Sequence, residues 1–467
     1  MAGIGFELER RFERDTNAGD VAGLIGAGAV FAGPWAFGTA AVVALWLQAR
    51  ATLPLREEGV LFALLTISCC IAMLLTGPLT FVISRYLADH LYAGNARAVG
   101  PCYAGAWLLH LAGALAAGGL LLVTDNLPWS TTVLGMAMIA ATTQLWLAGA
   151  FITMLRSYGV VAIAFSTGYG TAAVLGRWLG RTHGLDGYLL GFWVGIAGVA
   201  MALTALLGAR LSFPAAVDMR FLGYAKRRQS FVLTGFALAL GTWMDKVFFW
   251  YLPGHGIPLS KHLACFPAYD VASALGALTV LPGLSWLLLA VETRFAQNTR
   301  RLFTTLRLRG TFDDIHADKI TLATGLTRDF WGLMRVQGPI TLAVVVLAPD
   351  LLAALGLPTT SAHVLRFTAL GAVGVVLLQA QVLYFLYFDA PGRASMAALA
   401  YLLLNVTGTL ISWRLGFWTY GLAPMVASWG AAWLGASFLD TKLRRVESDV
   451  LRHFARLALT APGRISS

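Results

Sequence analysis

The sequence predicts an all-α polytopic membrane protein of about twelve transmembrane helices in two six-helix lobes. Three observations carry that expectation. First, 58% of the 467 residues are hydrophobic and 12% charged, with a mean hydropathy of +0.71. A water-facing domain carries about 25% charged residues, so lipid is the solvent here. Second, apolar stretches alternate with polar loops, and Lys and Arg crowd every second loop. Third, motifs of the first half return about 208 residues later in the second. The net charge of +11 comes from bases that flank apolar spans, which is membrane topology and not a nucleic-acid surface.

The elements follow in order. Crossing roughly 30 Å of hydrocarbon takes about 20 apolar residues. That length places spans at 21–47, 59–83, 103–123, 131–155, 159–176, 187–208, 230–252, 272–291, 336–356, 364–388, 395–413 and 416–438. Residues 1–20 are charged and carry Phe6, Leu8 and Phe12, which reads as an amphipathic cytoplasmic N-terminus before a retained signal anchor. The first lobe covers 21–210, a cytoplasmic linker 211–229, the second lobe 230–440 and a cytoplasmic tail 441–467. In the long loop 292–335, Phe295, Leu302, Phe303, Leu306 and Ile315 recur at helical spacing among arginines. Such a helix lies on an anionic inner leaflet, and docking of a cytoplasmic partner is the other reading. Of the 34 Lys and Arg, 26 fall in the termini and alternate loops and 6 in the opposite loops. That imbalance predicts both termini in the cytoplasm and an even span count.

The halves echo one another. Gly33-Pro34-Trp35 in the first span returns as Gly241-Thr242-Trp243 in the seventh. Arg85-Tyr86 closes the second span as Arg294-Phe295 closes the eighth, and Pro78 and Pro282 sit inside those spans. An even number of spans per half makes the repeats parallel, with cargo expected between the lobes. Gly and Pro inside spans (Gly77-Pro78, Pro282-Gly283, Gly338-Pro339, Pro424) suit bending helices, although both residues are common in membrane helices generally.

The sharpest chemistry is Asp245-Lys246 inside the seventh span. Ionisable groups in a span are costly and face a bundle interior or a wet cavity. Adjacent residues are about 100° apart on a helix, so the two are expected to border one cavity without stacking directly on each other. Trp243, Lys246 and Trp250 share a face, and aromatic rings beside a polar group suit sugars. An internal ion pair or snorkelling is the competing reading. Trp35 lies deep in its span and joins these as a candidate path residue. Arg85, Glu292 and Arg294 sit at the inner ends of the second and eighth spans, where a cross-lobe bridge gates the cytoplasmic mouth or solvated charges simply end two helices. His110, Gln144, Gln379, Gln381 and Asn405 are expected to bond between helices. Cys69, Cys70, Cys102 and Cys265 lack metal spacing, and His255 with His262 is poor support for a metal. The sequence has no Walker A, HExxH or GxSxG motif. No catalytic residue, cofactor or metal is therefore expected, and the chain reads as a non-enzyme.

The runs MAGIGFELERRF, FAGPW, GPLTFVISRYLADHLYAGN, GTWMDKVFFW, VETRFAQNTRRLF and LYFDAPGRASMAAL resemble the PelG family, over residues 1 to about 440. The resemblance implies an inner-membrane exporter of the multidrug/oligosaccharidyl-lipid/polysaccharide (MOP) superfamily, with a MATE/flippase-like pair of six-helix lobes. It implies an N-acetylgalactosamine-rich Pel-type polymer for biofilm matrix as cargo. It also implies partners: a cytoplasmic glycosyltransferase and further membrane subunits, one sensing cyclic di-GMP. The family's D-K pair falls on Asp245-Lys246, its R-Y-L-A-D run on Arg85 to Asp89 and E-T-x-F on Glu292 to Phe295. The sequence departs from the family at Ala390 to Arg393, where relatives are more basic. Three other readings are a lipid-linked oligosaccharide flippase or an ion-coupled drug antiporter of the same fold, and a scaffold that only assembles a synthase.

Overall fold

The computed structural model describes residues 33–152, 158–211, 216–308 and 310–460. In the first half the helices are α1 (Gly33–Ala49), α2 (Leu55–Tyr92), α3 (Val99–Leu122), α4 (Trp129–Ile152) and α5 (Tyr158–Leu211). A short linker helix, α6 (Arg220–Arg227), leads to α7 (Gln229–Tyr251). A hairpin of β1 (Ile257–Pro258) and β2 (Ala264–Cys265) precedes α8 (Pro267–Leu278) and α9 (Val280–Ala290). Next come α10 (Ala296–Arg307), α11 (Phe312–Ala354), α12 (Ala362–Tyr387), α13 (Pro391–Leu415) and α14 (Leu422–Thr460).

Ten described helical stretches are long and apolar enough to cross a membrane, with α8 and α9 counted as one. One of the ten is α5, which folds back on itself at Gly184, a residue at φ 60° where a side chain is strained. Its arms, 158–183 and 185–211, pack together where Gly191 backs onto Gly176. Counting both arms, and α1 from Gly33, gives the twelve spans expected. Residues 1–20 and the start of the first span lie outside the described residues.

Packing repeats at an interval of six spans. In the first lobe the first span meets the fifth, the second meets the fourth, and the third meets the fourth. In the second lobe α7 meets α13, α8 meets α12, and α11 meets α12, which are the same pairings moved by six. The internal echo is thus a structural repeat.

The linker is fastened to the first lobe. Phe221 is fully buried, the Tyr224 hydroxyl donates to Asp89 Oδ2 at 2.9 Å, and the Tyr86 hydroxyl donates to Asp218 Oδ2 at 3.0 Å. Arg220 binds both Asp218 oxygens at 2.9 and 3.0 Å, and this bonding holds the Asp218 carboxyl below the usual carboxylate range.

The two ends of the bundle differ. At the β-hairpin end one apolar core runs through both lobes, joining Leu45, Phe62 and Tyr188 to Phe249, Leu263, Tyr269 and Tyr420. Polar contacts seal that end as well. Asp125, after α3, accepts from Ser260 Oγ at 2.6 Å and from the Lys261 amide at 2.9 Å. Thr124 bonds His262 at 3.1 Å, and Arg56 donates to the Leu259 carbonyl at 3.3 Å. At the opposite end the second lobe has a core of its own, with Leu287, Phe295, Leu302, Val376 and Tyr384. There the described contact between lobes narrows to α2 against α7, where Gly77 and Gly235 cross, with Phe81 reaching the second lobe.

Prolines inside spans are handled individually. The helix runs unbroken through Pro78 and through Pro339, so those two are not breaks. Pro349 removes the amide that the Val345 carbonyl needs, and Arg366 donates to that carbonyl at 2.9 Å. Pro282 opens the eighth span between α8 and α9. The Gln337 carboxamide fills the gap: its oxygen accepts the Gly283 amide at 2.9 Å and its nitrogen donates to the Thr279 carbonyl. Those two groups are the donor and acceptor of one i→i−4 helix bond, so a side chain from α11 stands in for a helical turn.

The loop 292–335 departs from the expected surface helix. Leu302 and Leu306 of α10 are buried, with Phe303 and Ile315 packed beside them and Leu322 of α11. Arg301 pairs with Asp318 at 2.6 Å, and Thr305 donates to the same carboxylate at 2.6 Å. The apolar face of α10 is therefore satisfied by α11 and not by a leaflet. Thr311 caps α11 in a reciprocal box with Asp314, which lets α11 start well before its membrane portion. A helix of 43 residues spans about 65 Å, roughly twice the hydrocarbon thickness.

Candidate functional site

The residues singled out in the seventh span converge, with two corrections. Asp245 is 1% exposed, and its partners come from two directions. The Tyr269 hydroxyl of α8 donates to Asp245 Oδ2 at 2.5 Å, and Lys246 Nζ lies 3.3 Å from the same oxygen. The expectation that adjacent residues cannot meet directly is thus corrected. A four-carbon lysine stem reaches back round the helix, whereas the 100° rule describes Cβ directions. Lys246 also donates to the Thr242 carbonyl at 3.3 Å and stands 5.7 Å over the Trp243 ring. Its side chain remains 18% exposed, so this pair has one buried member and one that reaches open space.

The tryptophans extend this cluster. The Trp243 indole donates to the Met73 sulfur of α2 at 3.2 Å, which sets Trp243 on the face turned to the other lobe. Trp250 lies 6.4 Å from Trp243, ring to ring, and is buried. Its indole does not face open space: it donates to Asp270 Oδ2 at 2.8 Å. The Phe266 amide donates to that oxygen at 3.1 Å, while Asp270 Oδ1 is buried without a partner. Asp270 is 3% exposed, and no cation pairs with it among the described residues.

The sequence reading missed Asp270 by starting the eighth span at 272, so the second correction is its boundary. Pro267 occupies the first turn of α8, a position that proline favours, and that signal moves Asp270 inside the helix. The ends of α7 and α8 beside the β-hairpin are lined with aromatics: Phe249 stacks on Tyr420 at 4.1 Å and meets Tyr269 at 4.7 Å. Rings shield both carboxylates from water.

The proposed gate residues are held separately. Arg85 pairs with Asp89 of its own helix at 3.2 Å. Arg294 pairs with Asp329 of α11 at 3.1 Å and lies over Trp286 at 5.5 Å. The side chains of Trp35 and Glu292 lie outside the described residues. Of the intramembrane amides, Asn405 donates to the Gly241 carbonyl at 2.7 Å, Gln144 to the Trp107 carbonyl at 3.0 Å and Gln381 to the Ala432 carbonyl at 2.8 Å. His110 instead bonds within its own helix, to the Ala106 carbonyl at 2.6 Å. Among the described residues no cluster of three His, Cys, Asp or Glu is arranged to hold a metal.

Sequence comparison gives the family. The PelG model, described as an exopolysaccharide exporter (EPS-E), matches residues 1–450. The chain belongs to the PelG family. No curated protein matches it. Among solved structures it is similar to a mutant of the Vibrio cholerae MATE transporter VcmN, at 12% identity and a TM-score of 0.60, covering 90% of this chain and 97% of that one. A MATE protein in the bent conformation gives 11% identity and a TM-score of 0.62, covering 97% and 100%. An inward-facing multidrug resistance MATE family transporter of the MOP superfamily gives 13% and 0.58, covering 89% and 95%. At such identities the likeness is one of fold. This PelG member is thus a multi-pass membrane protein with a MATE-like fold, and its family is described as exopolysaccharide exporters.

Proposed function

We propose that this PelG chain exports a Pel-type, N-acetylgalactosamine-rich polymer across the inner membrane for biofilm matrix. A cytoplasmic glycosyltransferase hands over the polymer within a complex of membrane subunits, one of them sensing cyclic di-GMP. The single observation that carries the route is the placement of Trp243 and Lys246 on the face of α7 turned to α2 of the other lobe. A ring for the apolar faces of sugars and an ammonium for their hydroxyls then border the passage.

The difference between the two ends supports a state closed to the periplasm and parted toward the cytoplasm, in the orientation favoured by the basic loops. In this reading the hairpin at 257–265 is the outer closure. Arg85, Glu292 and Arg294 are assigned to the cytoplasmic mouth and Trp35 to the cargo path. Coupling to an ion gradient is supported by Asp270, a shielded carboxylate with one unpartnered oxygen and no ion pair among the described residues, joined through Tyr269 and Trp250 to the Asp245-Lys246 segment.

The test is deletion of the gene followed by assay of amino-sugar polymer outside and inside the cell. Polymer retained inside marks the exporter. Loss of synthesis altogether overturns this reading in favour of an assembly role.

A further inference from the structure

The junction of α6 and α7 carries a groove outside the site described above. The groove, of about 560 Å³, is lined by Ala225, Lys226, Gln229, Ser230, Val232, Leu233 and Phe236. At one end the lining residue Lys226 is cationic, and Arg227 and Arg228 follow it in the chain beside the groove; all three are exposed, and none makes an ion pair among the described residues. The neighbouring bases behave differently. Arg220 pairs with Asp218, Arg85 with Asp89, Arg294 with Asp329 and Arg301 with Asp318. The other end is apolar: Leu233 is 37% and Phe236 41% exposed, one and two turns into the membrane portion of α7.

We infer that this groove binds one anionic phospholipid, its phosphate on Lys226, Arg227 and Arg228 and an acyl chain along Leu233 and Phe236. Three adjacent cations without counter-charge repel one another, and an anion relieves that repulsion. A free anion leaves the apolar wall unused, and a neutral lipid leaves the cations unused. The amphiphile that matches both ends is an acidic lipid, and the surrounding bilayer supplies it. The position gives the lipid a task. Phe221, Tyr224 and Asp218 tie α6 to the first lobe, while α7 belongs to the second. A headgroup seated at the junction fixes the angle between the linker and the second lobe, whatever the cargo.

The experiment uses the full-length protein in neutral detergent, titrated with dioleoylphosphatidylglycerol, with native mass spectrometry and thermal unfolding as readouts. One phosphatidylglycerol is retained per chain and raises the unfolding midpoint, and dioleoylphosphatidylcholine does neither. Replacing Lys226→Gln, Arg227→Gln and Arg228→Gln weakens retention about fivefold per charge removed. Leu233→Ser with Phe236→Ser weakens it at unchanged charge. Arg177→Gln with Arg181→Gln, at the opposite end of the bundle, leaves it unchanged. If the triple variant folds poorly, Lys226→Gln alone gives the same reading. Equal retention of phosphatidylcholine, full displacement by inorganic phosphate, or retention by the charge variants overturns the proposal.

Discussion

At the scale of single residues, the Asp245-Lys246 pair is asymmetric, and that asymmetry makes a prediction. Asp245 is sealed off, whereas Lys246 reaches open space. Lys246→Met strands a buried carboxylate with only the Tyr269 hydroxyl, at a cost of about 3 kcal/mol. Asp245→Asn leaves a lysine that finds water, at a cost of about 1 kcal/mol. The double variant is expected to be more stable than Lys246→Met alone, as thermal unfolding of the purified protein measures. Equal losses for both single variants refute the asymmetry. The pair itself was legible in the sequence because ionisable groups stand out against an apolar span. Its partner across the fold was not: Tyr269 lies 24 residues away, and only the tertiary fold brings its hydroxyl to Asp245.

Elements show how this chain keeps broken helices in a membrane. Pro282 opens a turn, and Gln337 closes the electrostatic gap with both ends of one carboxamide. Gln337→Leu leaves a buried amide and a buried carbonyl unsatisfied, each at about 1–3 kcal/mol. We predict a marked fall in the unfolding midpoint for Gln337→Leu. Adding Pro282→Ala restores most of it, because an alanine lets Gly283 bond Thr279 directly. Failure of that rescue shows that the gap has another origin. The presence of Pro282 was plain from the sequence, but its effect was not. Pro78 and Pro339 sit in comparable surroundings and leave their helices continuous. Likewise, the period of Leu302 and Leu306 announced an amphipathic helix, and only the length of α11 decided that a helix and not a leaflet covers it.

For the whole molecule, the two lobes share a core at one end and at the other meet through α2 against α7. The polar seal at 124–125 and 260–262 belongs to both lobes, and the proposed export route passes through it. A thiol-cleavable bismaleimide joining Thr124→Cys and His262→Cys, whose native side chains bond at 3.1 Å, is expected to hold that end shut. Secretion then falls several-fold on cross-linking and returns when the linker is cleaved, as the extracellular polymer assay reads. Unchanged secretion with the cross-link formed shows that this end need not open.

The sequence by itself determined the number of spans, their division into two sixes and the residues of the seventh span that carry charge. Those properties are local or periodic: hydropathy over 20 residues, bases beside spans, and motifs repeated at a fixed interval. Tertiary structure alone decided that Asp270 joins the site, that Gln337 mends the eighth span, that α10 is covered by protein and that one end is closed. Each of these depends on contacts between residues far apart in the chain, and no local pattern records which distant partner meets a buried polar group.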